Sequence, residues 1–272
     1  MTKADSSAVP DFLAMTSMAG KGAVVLGAGQ GIGRQVSHAL AQAGATVLCV
    51  DREADLAKEV AQEVSGIACS ADVTTREGMQ SVFDLARLKL KNPQAIVDIV
   101  GRAYIGPIEE LDDDAYQAQH NMVYRHAWLA IQLGAPWLAE NGGGSIVLIG
   151  SVSGIASFQG QALHGSNKAA LHHLGRCAAV EYGPRAVRIN SVAAGSTRTP
   201  RLNQMIGDGG WDEVAASVPL RRPADPADIA SVVLFLCSAM SRHVTAQTLV
   251  VDGGVTATTM RSGVQVRPKA SD

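Results

Sequence analysis

Apolar runs of strand length alternate with segments of helical period through most of the chain. Ala23-Val-Val-Leu26 reads as a first strand, residues 31–43 as a helix, and Thr46-Val-Leu-Cys-Val50 as a second strand. A helix over 53–64 leads to a strand at 67–71, and a helix over 75–90 to a fourth strand at 95–100. A long helical stretch over 112–139 precedes a strand at 145–149, after which residues 151–168 lead into an Ala/Leu-rich helix running to Tyr182. Strands at 187–192 and 248–251 complete the pattern, with a helix over 226–239 between them. Continuous apolar strands that alternate with helices predict a parallel sheet covered on both faces. The expected fold is α/β, a single doubly wound parallel sheet of about seven strands with helices on both faces. No internal repeat or long linker divides it. Residues 1–19 read as a flexible extension, 20–260 as the domain and 261–272 as a polar tail.

At 272 residues and 47% hydrophobic, the chain can bury the core of one large domain. A net charge of -2 gives no electrostatic support to nucleic acid or anionic membrane partners, and 4% aromatics supplies few base-stacking surfaces. Cys49, Cys69, Cys177 and Cys237 are widely spaced in apolar runs, with no metal-ligand or disulfide pattern. Reduced buried thiols and a cytoplasmic location follow as expectations, with no metal. Residues 1–20 lack the apolar core of a signal peptide, and no segment has the length of a membrane span.

The strongest local signal is Val24-Val-Leu-Gly27-Ala-Gly29-Gln30-Gly31-Ile32-Gly33-Arg34, which leaves a strand and opens a helix. Glycines at such a turn allow a tight bend, close approach of the backbone to a phosphate, and close helix–strand packing. The helix N-terminus offers free N–H donors to a pyrophosphate. This is a Rossmann-type dinucleotide turn. Asp51, at the end of the second strand, suits hydrogen bonds to the adenosine ribose and repels a 2′-phosphate, which favours NAD over NADP. Arg52 and Arg34 soften that preference by attracting phosphate. Asp72 and Val73 follow the third strand, where an adenine edge would lie.

A second constellation lies in Ser151–Lys168, SVSGIASFQGQALHGSNK. Ser151 stands at the mouth of a strand, and His164 and Lys168 are four apart, sharing one helix face. A hydroxyl, an imidazole and an ammonium converging there could handle a proton. Taken alone, the same residues also suit a turn hydroxyl and a solvated polar pair.

The spacing Gly27-x-x-x-Gly31-x-Gly33, the acid after the second strand, and Ser151 followed by His164-x-x-x-Lys168 together resemble the short-chain dehydrogenase/reductase family. The similarity covers residues 20–256 and includes Asn121, Arg188-Ile-Asn190, Thr199-Pro200, Arg222-Pro223 and Val251-Asp252-Gly253-Gly254. The resemblance implies a substrate-orienting serine at Ser151, a ribose-binding lysine at Lys168, a relay asparagine at Asn121, and cofactor contacts at Lys168 and Thr199. It implies a homotetramer or dimer, assembled through the long helix at 112–139 and the helix after His164. It also likens residues 195–218, with Met205, Ile206 and Trp211, to a mobile substrate loop. The sequence departs from the family where it has His164 for the proton-transferring tyrosine, Gly101-Arg102-Ala103-Tyr104 for Asn-Asn-Ala-Gly, Ala194-Gly195 for Pro-Gly, and Leu26 for threonine.

Histidine titrates near 6.5 against about 10 for tyrosine, so an imidazole can exchange a proton near neutrality without help. The adjacent Lys168 cation is expected to leave His164 a poorer acid and a better base, which suits alcohol oxidation with NAD. The imidazole projects less far than a phenol, so the substrate or a water would sit deeper. Tyr104 is an alternative source of the phenol, or an aromatic wall of the pocket. His172 and His173 read as interface or surface groups, and His120 and His126 as flanks of Asn121 without metal spacing. The leading expectation is an NAD-dependent oxidoreductase interconverting a fairly apolar secondary alcohol and ketone. A non-redox lyase or isomerase, or a silent NAD-binding subunit partnering an active relative, use the same residues.

Overall fold

The computed structural model describes residues 7–258. Its sheet comprises β1 (Gly22–Leu26), β2 (Thr46–Asp51), β3 (Ile67–Ser70), β4 (Pro93–Asp98), β5 (Gly144–Ser151), β6 (Val187–Ala194) and β7 (Thr248–Val251). The strands lie in the order β3-β2-β1-β4-β5-β6-β7, and every pair is parallel. The helices are α1 (Gly31–Gln42), α2 (Ala54–Glu63), α3 (Arg76–Lys89), α4 (Asp113–His120), α5 (His126–Glu140), α6 (Ala162–Tyr182), α7 (Pro200–Ser217) and α8 (Pro226–Cys237).

The inner strands β2, β1, β4, β5 and β6 bury both faces, which is why they read as unbroken apolar runs, while the edge strands β3 and β7 stay partly exposed. Val24, Leu26, Leu48, Ile96 and Leu148 face one core with Phe83 of α3, Leu138 of α5 and Leu171 of α6. The intervening Ala23, Val25, Val47, Val97 and Val147 face a second core with Leu40 of α1 and Val233 of α8. The period of two thus divides one apolar run between two helical layers. The doubly wound sheet expected from the sequence is the fold observed.

Several boundaries differ from the sequence pattern. The helix expected over 112–139 is interrupted by a π turn at Asn121–Arg125, which separates α4 from α5. The segment expected as an irregular loop over 195–218 is largely helical. Pro200 starts α7, and the Thr199 hydroxyl caps it by accepting from Leu202 N at 3.2 Å. Gly207, at φ 69 and ψ 174, breaks α7 midway, which explains the weak helical signal there. The flexible extension expected to Ala19 ends earlier: Met18 is 1% exposed in the second core, and its N–H donates to Ala43 O. The expected tail over 261–272 lies outside the described residues. Among the described residues no helix is long and apolar enough to cross a membrane.

Candidate active site

Connections leave β1 outward to β2 and β3, then cross back to β4, so the strand order reverses between β1 and β4. The loops beyond those strand ends part and leave a crevice, where ligands bind in open α/β sheets. A cavity of about 720 Å³ opens there. Gly27, Gln30, Gly31 and Ile32 line it from the first turn, Asp51, Arg52, Asp72 and Val73 from β2 and β3, and Thr199 from the start of α7.

The backbone of the first turn requires its glycines. Gly27 has φ +85 and Gly31 φ +55, a region that disfavours side chains. A Cβ at Gly31 would lie 3.0 Å from Thr199 Cγ2, closing the gap between turn and loop. Gly29 and Gly33 do not line the cavity. A Cβ on Gly33 would overlap the Gly27 carbonyl oxygen, so that glycine allows α1 to pack on the turn. Gly29 donates its N–H to Asp51 Oδ2 at 2.9 Å, and a Cβ there would lie 2.7 Å from the same oxygen. Asp51 Oδ1 accepts from Glu53 N at 3.1 Å, so the carboxylate is fixed in the cavity wall. Asp72 Oδ1 accepts from Thr74 N at 2.9 Å. Arg34 is not free to attract a phosphate: its guanidinium is engaged twice by Glu63, at 2.8 and 2.9 Å. Arg52 stays in the cavity lining and reaches Glu53 at 3.2 Å.

Ser151, His164 and Lys168 line the same cavity. Ser151 is the last residue of β5, and its Oγ accepts from Ser153 N at 3.1 Å and donates to Ser153 Oγ at 3.2 Å. Ser153 in turn donates to Gln161 Oε1 at 2.5 Å. Lys168 is buried, with Nζ donating to the Ile149 carbonyl at 2.8 Å. A Cβ on Gly101 would lie 3.2 Å from that Nζ, so the departure from asparagine at 101 keeps space beside the ammonium. Burial pulls the Lys168 pKa down to about 8, against the pull of Asp98.

His164 is 8% exposed, and its Nδ1 is buried without a hydrogen-bond partner. That leaves Nε2 as the ring nitrogen open to a ligand. Burial first, then Lys168, then Arg201 lower its pKa to about 4. This corrects the expected effect of Lys168. A lowered pKa keeps the imidazole in its accepting form at neutral pH, but it makes the ring a weaker base, not a stronger one.

Asn121 is not part of the cavity lining. Its Oδ1 accepts from Gln117 Nε2 at 3.1 Å, while the next residue, Met122, lines the cavity. Its neighbour His120 meets Asn167 Oδ1 at 3.3 Å. His126 is buried and joins Asp98 Oδ2 at 2.7 Å to the Met122 carbonyl at 3.1 Å, tying the π turn to β4. Tyr104 also lies outside the lining, its N–H held by Gln119 and its ring beneath Arg102 at 5.7 Å. Met205 lines the cavity, but Trp211 is a packing anchor, 5% exposed under Arg198. Among the described residues no cluster suited to a metal ion occurs.

Other expectations change further along α6. His172, expected at an interface or the surface, is 3% exposed, whereas His173 is exposed. The His172 ring occupies the space that Cβ atoms on Gly150 and Gly154 would take, and its Nε2 has no partner. Cys177, expected to be buried, is exposed, while the other three cysteines are buried. Sequence reasoning missed Ser153, Gln161 and Arg201. Their signal was present only for Arg201, as a cation two residues beyond Thr199.

The family model described as Enoyl-(Acyl carrier protein) reductase matches residues 27–256. A 7alpha-hydroxysteroid dehydrogenase of Escherichia coli K12 is 33% identical over 240 residues, covering 86% of this chain and 94% of that protein. A tropinone reductase homologue of Arabidopsis thaliana is 31% identical over 253 residues, covering 88% and 95%. A solved 7 alpha-hydroxysteroid dehydrogenase, in complex with NADH and 7-oxo glycochenodeoxycholic acid, superposes with a TM-score of 0.86 at 30% identity, covering 90% and 98%. The glycine turn at a sheet switch point, the Ser151–Lys168 constellation and these similarities lead to one assignment: the chain belongs to the short-chain dehydrogenase/reductase family.

Proposed function

We propose that the protein is an NAD-dependent oxidoreductase that interconverts a secondary alcohol and a ketone, with His164 exchanging the hydroxyl proton. The observation that carries this reading is that His164, Lys168 and Ser151 share one cavity with a dinucleotide-type turn. NAD is preferred over NADP because Asp51 presents a fixed carboxylate in the cavity wall, and because the Arg34 charge is taken up by Glu63. Gly27, Gly31, Ile32, Thr199 and Lys168 would hold the cofactor, with Asp72 and Val73 at its adenine. When bound, NAD supplies the hydride acceptor.

The chain's own residues handle the oxygen and its proton. Ser151 Oγ fixes the substrate oxygen, exchanging its bond to Ser153 for one to the ligand. His164 Nε2 accepts the hydroxyl proton, and the enclosing side chains exclude water. Neutral Lys168 favours this step, because a proton on His164 is then no longer opposed by the ammonium. Asn121 acts through the π turn that it opens, rather than on the substrate.

The test is turnover of an alcohol panel, read by absorbance of the reduced cofactor, alongside NAD affinity by calorimetry. His164→Ala should abolish turnover and leave NAD affinity nearly intact; unchanged turnover overturns the assignment of His164. His164→Tyr should retain or raise ketone reduction. A second reading, an NAD-binding subunit without turnover, is favoured by the weak basicity of His164 and the engagement of Ser151 with Ser153. It predicts tight NAD binding with no product from any alcohol.

A further inference from the structure

The substrate half of the cavity carries positive charge with no carboxylate to answer it. Arg102, beyond β4, and Arg201, in the first turn of α7, both line it. Neither guanidinium has a hydrogen-bond or ion-pair acceptor among the described residues, although Arg102 lies over the Tyr104 ring at 5.7 Å. Arg222, by contrast, is answered by Asp228 at 2.6 and 2.9 Å, and Arg34 by Glu63. The two carboxylates in the cavity lining, Asp51 and Asp72, belong to the nucleotide end and are held by backbone N–H groups. Arg201 and Arg102 repel one another, and Arg201 and His164 interact electrostatically, so this charge extends to the reacting end. Around the two arginines the rim is apolar: Ile105, Phe158 and Met205 line the cavity yet remain 52%, 37% and 52% exposed.

Two guanidiniums without acceptors, at the edge of an apolar pocket, suit a ligand that is apolar along its body and anionic at one end. The geometry points to Arg102 and Arg201 as an anion subsite, and to an amphipathic carboxylic acid bearing the reacting alcohol or ketone as the substrate class. This rests on the oxidoreductase reading for the reacting group but not for the anion. Phosphates of the cofactor share the same chemistry. They already have the N–H groups of the first turn, which abuts Thr199 and Pro200, whereas Arg201 couples to His164 as well as to Arg52. The two roles also support each other. An anion at Arg201 offsets one of the cations that oppose a proton on His164, so binding of an acid strengthens His164 as a base.

The test compares decanoate with decanamide, which share an apolar chain and differ in charge, by calorimetry on the full-length protein saturated with NAD. Decanoate should bind about tenfold tighter or more, as expected for charge-assisted hydrogen bonds. The preference should vanish in an Arg102→Gln/Arg201→Gln double variant whose NAD affinity is unchanged, which also shows that the variant is folded. Equal binding of the two probes, no binding of decanoate, or a preference that survives both substitutions overturns the proposal. A loss of NAD or NADP affinity in the variant also overturns it and assigns the arginines to cofactor phosphate. Because binding is read without turnover, an anion preference in a protein that oxidises no alcohol refutes the oxidoreductase reading alone. If NAD fails to bind, the same comparison is read on the cofactor-free protein.

Discussion

His164 should titrate far below an ordinary histidine, and removing Lys168 should move it back only part of the way. The fall from 6.5 to about 4 has burial as its largest cause, with Lys168 second and Arg201 third. At about 1.4 kcal/mol for each tenfold, it amounts to about 3 kcal/mol in favour of the neutral ring. Lys168→Met deletes the second cause and leaves the first, so the midpoint should rise yet stay below 6.5. The assay is nitrogen NMR of protein labelled at histidine, with the His164 signals identified from a His164→Gln spectrum. In the wild type the ring nitrogens should keep neutral shifts down to about pH 5. A midpoint near 6.5, or one unmoved by Lys168→Met, refutes the reasoning. The kinetic counterpart follows from the same directions. Alcohol oxidation should show no limb at 6.5, and should rise as pH passes about 8, where Lys168 loses its proton and ceases to oppose His164.

Acid should destabilise the fold through the same buried rings. His164 and His172 both fall from 6.5 to about 4, so between those values the unfolded chain binds more protons and stability drops as pH falls. At pH 5 the loss is about 2 kcal/mol for each ring, and denaturant titrations at pH 7 and pH 5 should show a smaller difference in His172→Gln; an equal difference rules this out. Gly150→Ala drives a methyl into the His172 ring and should cost about 1–3 kcal/mol. A double-mutant cycle with His172→Ala should give a coupling of more than about 0.5 kcal/mol, and additive effects would show that the ring yields freely. Asp51→Ala should narrow the preference for NAD over NADP, read as the ratio of dissociation constants, and an unchanged ratio would remove Asp51 from that role.

The glycine-rich turn and the acid beside it were legible because their determinants are local. Gly27, Gly31 and Gly33 act through backbone shape within one turn, and Asp51 follows directly from the end of β2. The strand runs carried the fold for a similar reason, since burial on both faces leaves an uninterrupted apolar pattern. The irregular helical elements were less legible. A break at Gly207 conceals α7, and a π turn at Asn121–Arg125 lies inside what the helical period reads as one helix.

Sequence alone determined the glycine-rich turn, the doubly wound sheet and the presence of Ser151, His164 and Lys168 near one strand end. Tertiary structure decided their chemistry. Burial beside Lys168 and Arg201 makes His164 a weak base, a turn redirects Ser151 to Ser153, and Gln117 draws Asn121 out of the cavity lining. It also set Arg102 and Arg201 in one cavity although they lie on distant segments. Local spacing fixes which groups share a turn or a helix face. Desolvation and electrostatic coupling depend on what packs around them, and that exists only once the chain has folded.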